Sequence, residues 1–230
     1  MRMQELDQSN LNISQAVSRY LEAIHYMRAE GETVTNARLA DWLGVSRPTV
    51  TAGLRRMARD GLLRAGSREI ALSAKGEERA AAIVRRHRIV ERWLVDVLGL
   101  DWVAADEEAA RLEHAISDDV EGRLYETLGR PSTCPHGNPI PGHSEAVVGE
   151  RRLSALGAGD RGSITRISEV AEREAPPLLA YLAERGLMPG ARLTVGEVDA
   201  VGRTLRVEVA GRDVTLSHET AAKIWVLPQP

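Results

Sequence analysis

His87 and Glu91 stand four residues apart, so on a helix they share one face, a turn from each other. Further along, Glu113 and His114 are adjacent in a stretch that also carries Asp106, Glu107 and Glu108. Imidazole nitrogens and carboxylate oxygens, with no thiolate, suit a divalent transition ion such as Mn(II), Fe(II), Co(II), Ni(II) or Zn(II). The same residues also serve as ordinary helix-surface charges, so spacing alone leaves both readings open. A hydrolytic metal site would need an open coordination position and a substrate cleft as well, and nothing in the sequence marks either.

A second group is built for another chemistry. Ser46, Arg47, Pro48, Thr49 and Thr51 crowd the start of a segment whose apolar positions are Val50, Leu54 and Met57. Hydroxyls and a guanidinium there can meet phosphates or base edges of duplex DNA, and Pro48 can touch a thymine methyl. Arg55 and Arg56 follow on the same segment, and Arg64 and Arg68 flank a turn, all four positioned for the phosphate backbone. Charge agrees region by region: the formal net charge is −3, but residues 33–80 carry nine Arg or Lys against five acids. That segment is net +4 and leaves −7 for the rest.

The elements that must hold these groups can be read from periodicity. Val17, Leu21, Ile24 and Met27 recur at spacings of three and four, which predicts a helix from Ser14 to about Ala29, ended by Gly31. Thr35 can cap a second helix running to Gly44, and Ser46 a third, with Pro48 in its first turn, ending near Asp60-Gly61. LLRAGSREIALSAKG reads as two short strands joined at Gly66-Ser67, and three helices followed by a hairpin make a winged helix-turn-helix.

Beyond it, Ile83, Val90, Leu94 and Val97 predict a helix from Ala74 to about Val97, stopped by Gly99. Ala109, Leu112, Ile116, Val120 and Leu124 predict one long helix from about Asp106 to Leu128. Two long helices outside the DNA-reading unit suggest dimerisation. GRPSTCPHGNPIPGHSE holds four prolines and three glycines and reads as a stiff, irregular connector. After it, LTVGEV, TLRVEV and DVTLS alternate as strands do, with a short helix around Leu178 to Arg185, so a small β-barrel is expected.

With 230 residues, 43% of them hydrophobic, the chain can bury a core and divides into two or three domains. One cysteine, Cys134, excludes a disulfide framework, and no apolar run reaches the roughly 20 residues of a membrane span. MRMQELDQSN lacks the apolar core of a signal peptide, so the reducing cytoplasm is the expected compartment, with no membrane partner.

SRPTVTAGLRRMARDGLL, HRIVERWLVDVLGL, LEHAISDDVEGRL and CPHGNPIPG, in that order, resemble the diphtheria-toxin-repressor family of iron- and manganese-dependent regulators, over essentially the whole chain. The resemblance implies a mixed α+β, mainly helical chain: a winged helix-turn-helix over 1–80, a helical dimerisation and metal-binding domain over 81–148 with the Pro-rich connector from about 129, and an SH3-like (FeoA-like) β-barrel over 149–230. It implies a homodimer that binds palindromic duplex operators, with Mn(II) or Fe(II) as cofactor, represses metal-homeostasis genes, and is not an enzyme. An SH3-like domain can also serve as a scaffold for peptides, but only Tyr181 and Trp225 are aromatic in this region, which favours an intramolecular role.

The resemblance also assigns ligands. His87 and Glu91 match an ancillary site, Asp106 occupies the position of a histidine, and Glu174 resembles an acid from the SH3-like domain, with Zn(II), Co(II) or Ni(II) as substitutes in vitro. Glu113 and His114 match the glutamate-histidine pair of the primary site, and Glu22 an additional acid of manganese sensors. Ala110 and Arg19 depart from that pattern: a ligand is missing at each, and Arg19 adds a cation where a dication would sit. The alternative reading is a family member that binds DNA independently of primary-site metal, with Arg19 bridging to Glu113 in place of the ion.

Overall fold

The computed structural model describes residues 15–65, 69–170 and 176–229, and divides into one compact unit over residues 1–83 and another over 84–230. In the first unit α1 (Gln15–Ala29), α2 (Asn36–Leu43) and α3 (Arg47–Arg59) pack together. Their apolar stripes, among them Leu21, Ile24, Met27, Leu39, Val50 and Met57, are buried in a common core. The caps are those the sequence marks. Thr35 accepts from the Arg38 amide, Gly44 ends α2 in the left-handed region (φ 66), and the Ser46 hydroxyl accepts from the Thr49 amide.

The wing is slighter than two strands. A single bridge pairs Leu63 with Leu72, and the Arg64 amide donates to the Ala71 carbonyl at 2.8 Å. The predicted turn at Gly66-Ser67 lies outside the described residues. α4 (Ala74–Asp96) starts where Ser73 donates to the Gly61 carbonyl and accepts from the Gly76 amide.

The single long helix expected over 106–128 is two. α5 (Trp102–Leu112) starts at Asp101, whose carboxylate accepts from the Val103 and Ala104 amides; α6 (Asp118–Thr127) starts at Ser117, with Asp118, Asp119 and Glu121 in its first turn. These caps and acids beside a positive helix terminus favour a fresh start over continuation. Because the register restarts, Val120 is 40% exposed, and Val97, just past the end of α4, is 55% exposed, where apolar periodicity predicts burial for both.

The remainder is an SH3-like antiparallel sheet of six strands: β1 (Arg151–Arg152), β2 (Arg161–Ile167), β3 (Arg192–Asp199), β4 (Thr204–Val209), β5 (Arg212–Ser217) and β6 (Ile224–Gln229), in the order β1-β6-β2-β3-β4-β5. α7 (Pro176–Glu184) and α8 (His218–Ala221) complete it. Ile164, Leu182, Leu193, Val207, Leu216 and Val226 share its core with Leu153 and with Trp102 of α5. Val90, Leu94, Ala105 and Ala109 form a second small core that clamps α4 on α5.

Candidate metal centre and nucleic-acid interface

α4 presents His87 and Glu91 toward α5, and the α4–α5 clamp fixes their depth. His87 Nδ1 lies 2.8 Å from Glu113 Oε2 and His87 Nε2 lies 3.3 Å from Asp106 Oδ1. His87, Glu91 and Asp106 can each offer one ligand atom with all three within 4.8 Å of one another. His87 and Glu91 are buried, Asp106 is half-buried, and buried Glu113 also meets His114 Nε2, 3.2 Å from its Oε1. Thus Glu113 faces His87 as well as the neighbouring His114.

Two donors come from the connector, where the sequence advertises only a turn. Cys134 and His136 are 1% and 0% exposed, and together with Glu91 they form a second group whose ligand atoms lie within 4.8 Å. Glu91 is therefore common to both groups. The turn is held mainly through its backbone. The Cys134 amide donates to the Asn138 carbonyl at 2.9 Å, the Ile167 amide of β2 to the His136 carbonyl at 2.9 Å, and Asn138 Nδ2 to the Ile167 carbonyl at 2.9 Å. Gly137 has φ 85 and a Cβ there would lie 2.1 Å from the Thr165 carbonyl oxygen, so only glycine fits.

Cations steady the frame. The Arg92 guanidinium donates to the Cys134 carbonyl at 3.2 Å, and Arg88 to the Pro139 carbonyl and to Glu169, the latter at 2.8 Å. Burial raises the Glu169 pKa above its usual value, against the attraction of Arg88. Glu121, buried on α6, receives Arg85 at 2.6 Å and Arg86 at 2.9 Å, and Arg86 also binds Asp118 and the Glu113 carbonyl, fixing the end of α5.

The donor set fits a cation. Glu91 Oε1 is buried and, among the described residues, has no hydrogen-bond donor, although it lies 2.9 Å from His136 Nδ1, because the two groups are misaligned for a hydrogen bond. An orphaned buried acceptor costs about 1–3 kcal/mol, which a shared ion removes. Burial pulls the His87 pKa down, but hydrogen bonds and attraction from Asp106 and Glu113 outweigh it, so the imidazole sits well above 6.5 and carries a proton where a dication would bind.

Of the remaining candidate ligands, Glu22 is half-buried on α1 in the N-terminal unit, and Glu174 lies outside the described residues. Arg19 donates to the Leu43 carbonyl at 3.2 Å.

At the start of α3, Ser46, Arg47, Pro48 and Thr49 are exposed, as are Arg55 and Arg56 further along. Ser46 and Thr49 share a hydrogen bond of 2.8 Å. The Thr51 hydroxyl is committed inward, donating to the Arg47 carbonyl at 3.1 Å and accepting from Asn36 at 3.1 Å. Arg56 pairs weakly with Asp60, at 4.0 Å, whereas Arg47 and Arg55 make no ion pair among the described residues. Tyr20 seats the helix: its hydroxyl donates to the Thr49 carbonyl at 3.4 Å and its ring covers Gly53, where a Cβ would lie 2.7 Å from it. Arg68 lies outside the described residues.

A winged helix-turn-helix joined to a helical unit that gathers imidazole, carboxylate and thiol groups is the build of a metal-responsive transcriptional regulator. Comparison with known proteins agrees. Residues 12–68 match the family model for the iron dependent repressor N-terminal DNA binding domain, 73–142 its metal binding and dimerisation domain, and 151–228 the FeoA domain. The chain is 41% identical over 219 residues to the iron-dependent repressor IdeR of Mycobacterium tuberculosis, covering 90% of this chain and 94% of that one. It is 37% identical over 220 residues to the diphtheria toxin repressor of Corynebacterium diphtheriae, at 90% and 94% coverage. A solved manganese-dependent transcriptional repressor in complex with manganese superposes with a TM-score of 0.82 at 34% identity, covering 93% of this chain and all of that one. The chain belongs to the diphtheria-toxin-repressor family of metal-dependent transcriptional regulators.

Proposed function

We propose that this protein is a homodimeric, Mn(II)- or Fe(II)-responsive repressor of metal-homeostasis genes that reads palindromic duplex DNA with the start of α3. The observation that carries the metal reading is the pair of donor groups meeting at Glu91, one of whose buried oxygens lacks a hydrogen-bond donor among the described residues. His87, Glu91 and Asp106 would hold one ion, and Glu91, Cys134 and His136 a competing or second one. The bound ion supplies positive charge that draws α4, α5 and the connector turn together. Cys134 adds a soft donor to a set otherwise of nitrogen and oxygen, which raises Fe(II) and Zn(II) relative to Mn(II). The domain division at 1–80, 81–148 and 149–230 is supported by the limits of the three family models. Exposed Val97, Leu98 and Val120 give the helical domain apolar surface for a second copy.

Exposed hydroxyls, and Arg47 and Arg55 without an ion pair among the described residues, support the DNA reading. The described residues contain no helix long and apolar enough to cross a membrane. The metal-independent alternative is not favoured over this reading, because the relatives this chain resembles are iron-dependent and manganese-dependent repressors. To test the proposal, metal-depleted protein is offered duplexes selected from a random library, in chelator and then with Mn(II), anaerobic Fe(II) or Zn(II). DNA affinity should rise at least about tenfold with the cognate ion, a coupling of about 1.4 kcal/mol. Equal affinity in chelator overturns the metal-responsive reading and leaves the DNA reading to be judged by salt slope.

A further inference from the structure

We propose that a hollow in the SH3-like sheet, remote in the chain from the metal ligands, is a binding site for a small organic carboxylate with an apolar body. The hollow measures about 410 Å³ and is walled by the ends of β3 and β4, the turn between them, the start of α8 and the segment after β1. That size falls in the lower part of the roughly 300–1,000 Å³ range of small-molecule sites. Its floor is apolar: Leu156 and Leu205, 5% and 3% exposed, with Val198 left 46% exposed beside them.

Its rim carries a guanidinium and an imidazole. Arg203, from the β3–β4 turn, and His218, at the start of α8, both line the hollow and are exposed, and among the described residues neither side chain has an acidic partner. The third ionisable group there, Asp199, is already committed. Its Oδ1 accepts from the Val201 amide at 2.9 Å and the Gly202 amide at 2.8 Å, which closes the turn. The hollow therefore offers the Arg203 guanidinium and the His218 imidazole as donors above an apolar floor, complementary to a carboxylate whose carbon chain lies inward.

The backbone holds this arrangement in place. Arg203 has φ 52, in the left-handed region that a non-glycine residue enters at a cost, and its carbonyl accepts the His218 amide at 2.8 Å. The same residue thus ties α8 to the turn and presents its guanidinium to the hollow. The hydroxyls of Ser154 and Thr204, also in the lining, can donate to a carboxylate oxygen.

The test uses the full chain in chelator, so that its failure is separate from failure of the metal reading. Isotope-labelled protein is titrated with hexanoate, octanoate and benzoate, and in parallel with hexanol and hexylamine, by amide correlation spectra. The carboxylates should shift the amides of Ser154, Leu205 and His218 along saturable isotherms, and hexanol should bind about tenfold more weakly or worse. Arg203→Asn, which tolerates positive φ, should lose about tenfold in carboxylate affinity, and Ala200→Trp on the rim should abolish binding with the rest of the spectrum unchanged. Equal binding of alcohol and carboxylate, shifts centred elsewhere, no saturation up to the solubility of the probes, or undiminished affinity in Arg203→Asn would each overturn the proposal.

Discussion

Replacing Glu91 by Gln removes a charge from the point where both donor groups meet and leaves the shape nearly unchanged. Without metal, Glu91 is 1% exposed and its Oε1 is an acceptor with no donor among the described residues, a burden of about 1–3 kcal/mol for a buried polar atom. The amide of Gln is cheaper to bury and can donate, so the metal-free variant should be as stable as the parent or more so, by up to about 2 kcal/mol. For a chain of this size that is a rise of about 4–8 °C at most. With metal the sign reverses. Four-ligand zinc sites contribute about 10–16 kcal/mol, or roughly 3 kcal/mol per ligand, so losing Glu91 should weaken the ion about a hundredfold. An ion at a hundred times the parent's dissociation constant stabilises the parent by about 2.7 kcal/mol and the variant by about 0.4 kcal/mol. Scanning calorimetry with chelator and with Mn(II) or Zn(II), beside titration calorimetry, measures both arms. A variant that melts several degrees lower in chelator yet binds metal like the parent would show that Glu91 is a structural partner of His136 and not a ligand.

Three further outcomes follow from the same geometry. Cobalt(II) titration of the parent should give a thiolate charge-transfer absorption that Cys134→Ser abolishes, and its absence from the parent would remove Cys134 from the ligand set. In chelator, the raised His87 pKa means that the folded state binds the extra proton: its stabilisation is full below about pH 6.5, the unfolded value, and fades as pH rises through the higher folded value. Thermal melts of the parent should show this decline and His87→Gln should flatten it; parallel curves would contradict the ion pair with Asp106 and Glu113. Arg55→Ala should weaken DNA binding evenly across sequences and reduce the salt slope by about one, whereas a change confined to one base position would put Arg55 on a base edge.

The winged unit was legible because its signals are local. Thr35, Gly44, Ser46 and Pro48 announce their caps within four residues of where they act, and the apolar stripes of α1 to α3 belong to one short core. The break between α5 and α6 was as local, with Ser117 and three acids in the next turn, but the apolar periodicity of Ala109 to Leu124 runs across it and hides it. Strands β1, β2 and β6 went unread for another reason. Arg166 in β2 is 6% exposed and looks like a turn residue in sequence, yet it pairs with Glu150 at 2.8 Å and lies 4.2 Å from the Trp225 ring, partners 16 and 59 positions away.

The candidate site divides along the same line. His87, Glu91, Asp106 and Glu113 are found from helical spacing and family pattern because α4 carries the first two, α5 the third, and the fourth directly follows α5. Cys134 and His136 sit in a proline-glycine run whose composition says turn and nothing about what the turn touches. Their positions are set by hydrogen bonds to Ile167, some 30 residues further on, and by the carbonyl of Thr165 pressing on Gly137. This has a mechanical consequence. An ion held by Glu91, Cys134 and His136 would load a turn whose other side is strand β2, and would be felt in the SH3-like sheet through the backbone bond from Ile167 to His136, which side-chain substitution leaves intact. Hydrogen exchange at the Ile167 amide, which donates to the His136 carbonyl, should therefore slow when metal binds, and should do so even in Arg166→Lys. If that amide exchanges at the same rate with and without metal, the turn is a rigid spacer and the sheet does not sense the ion.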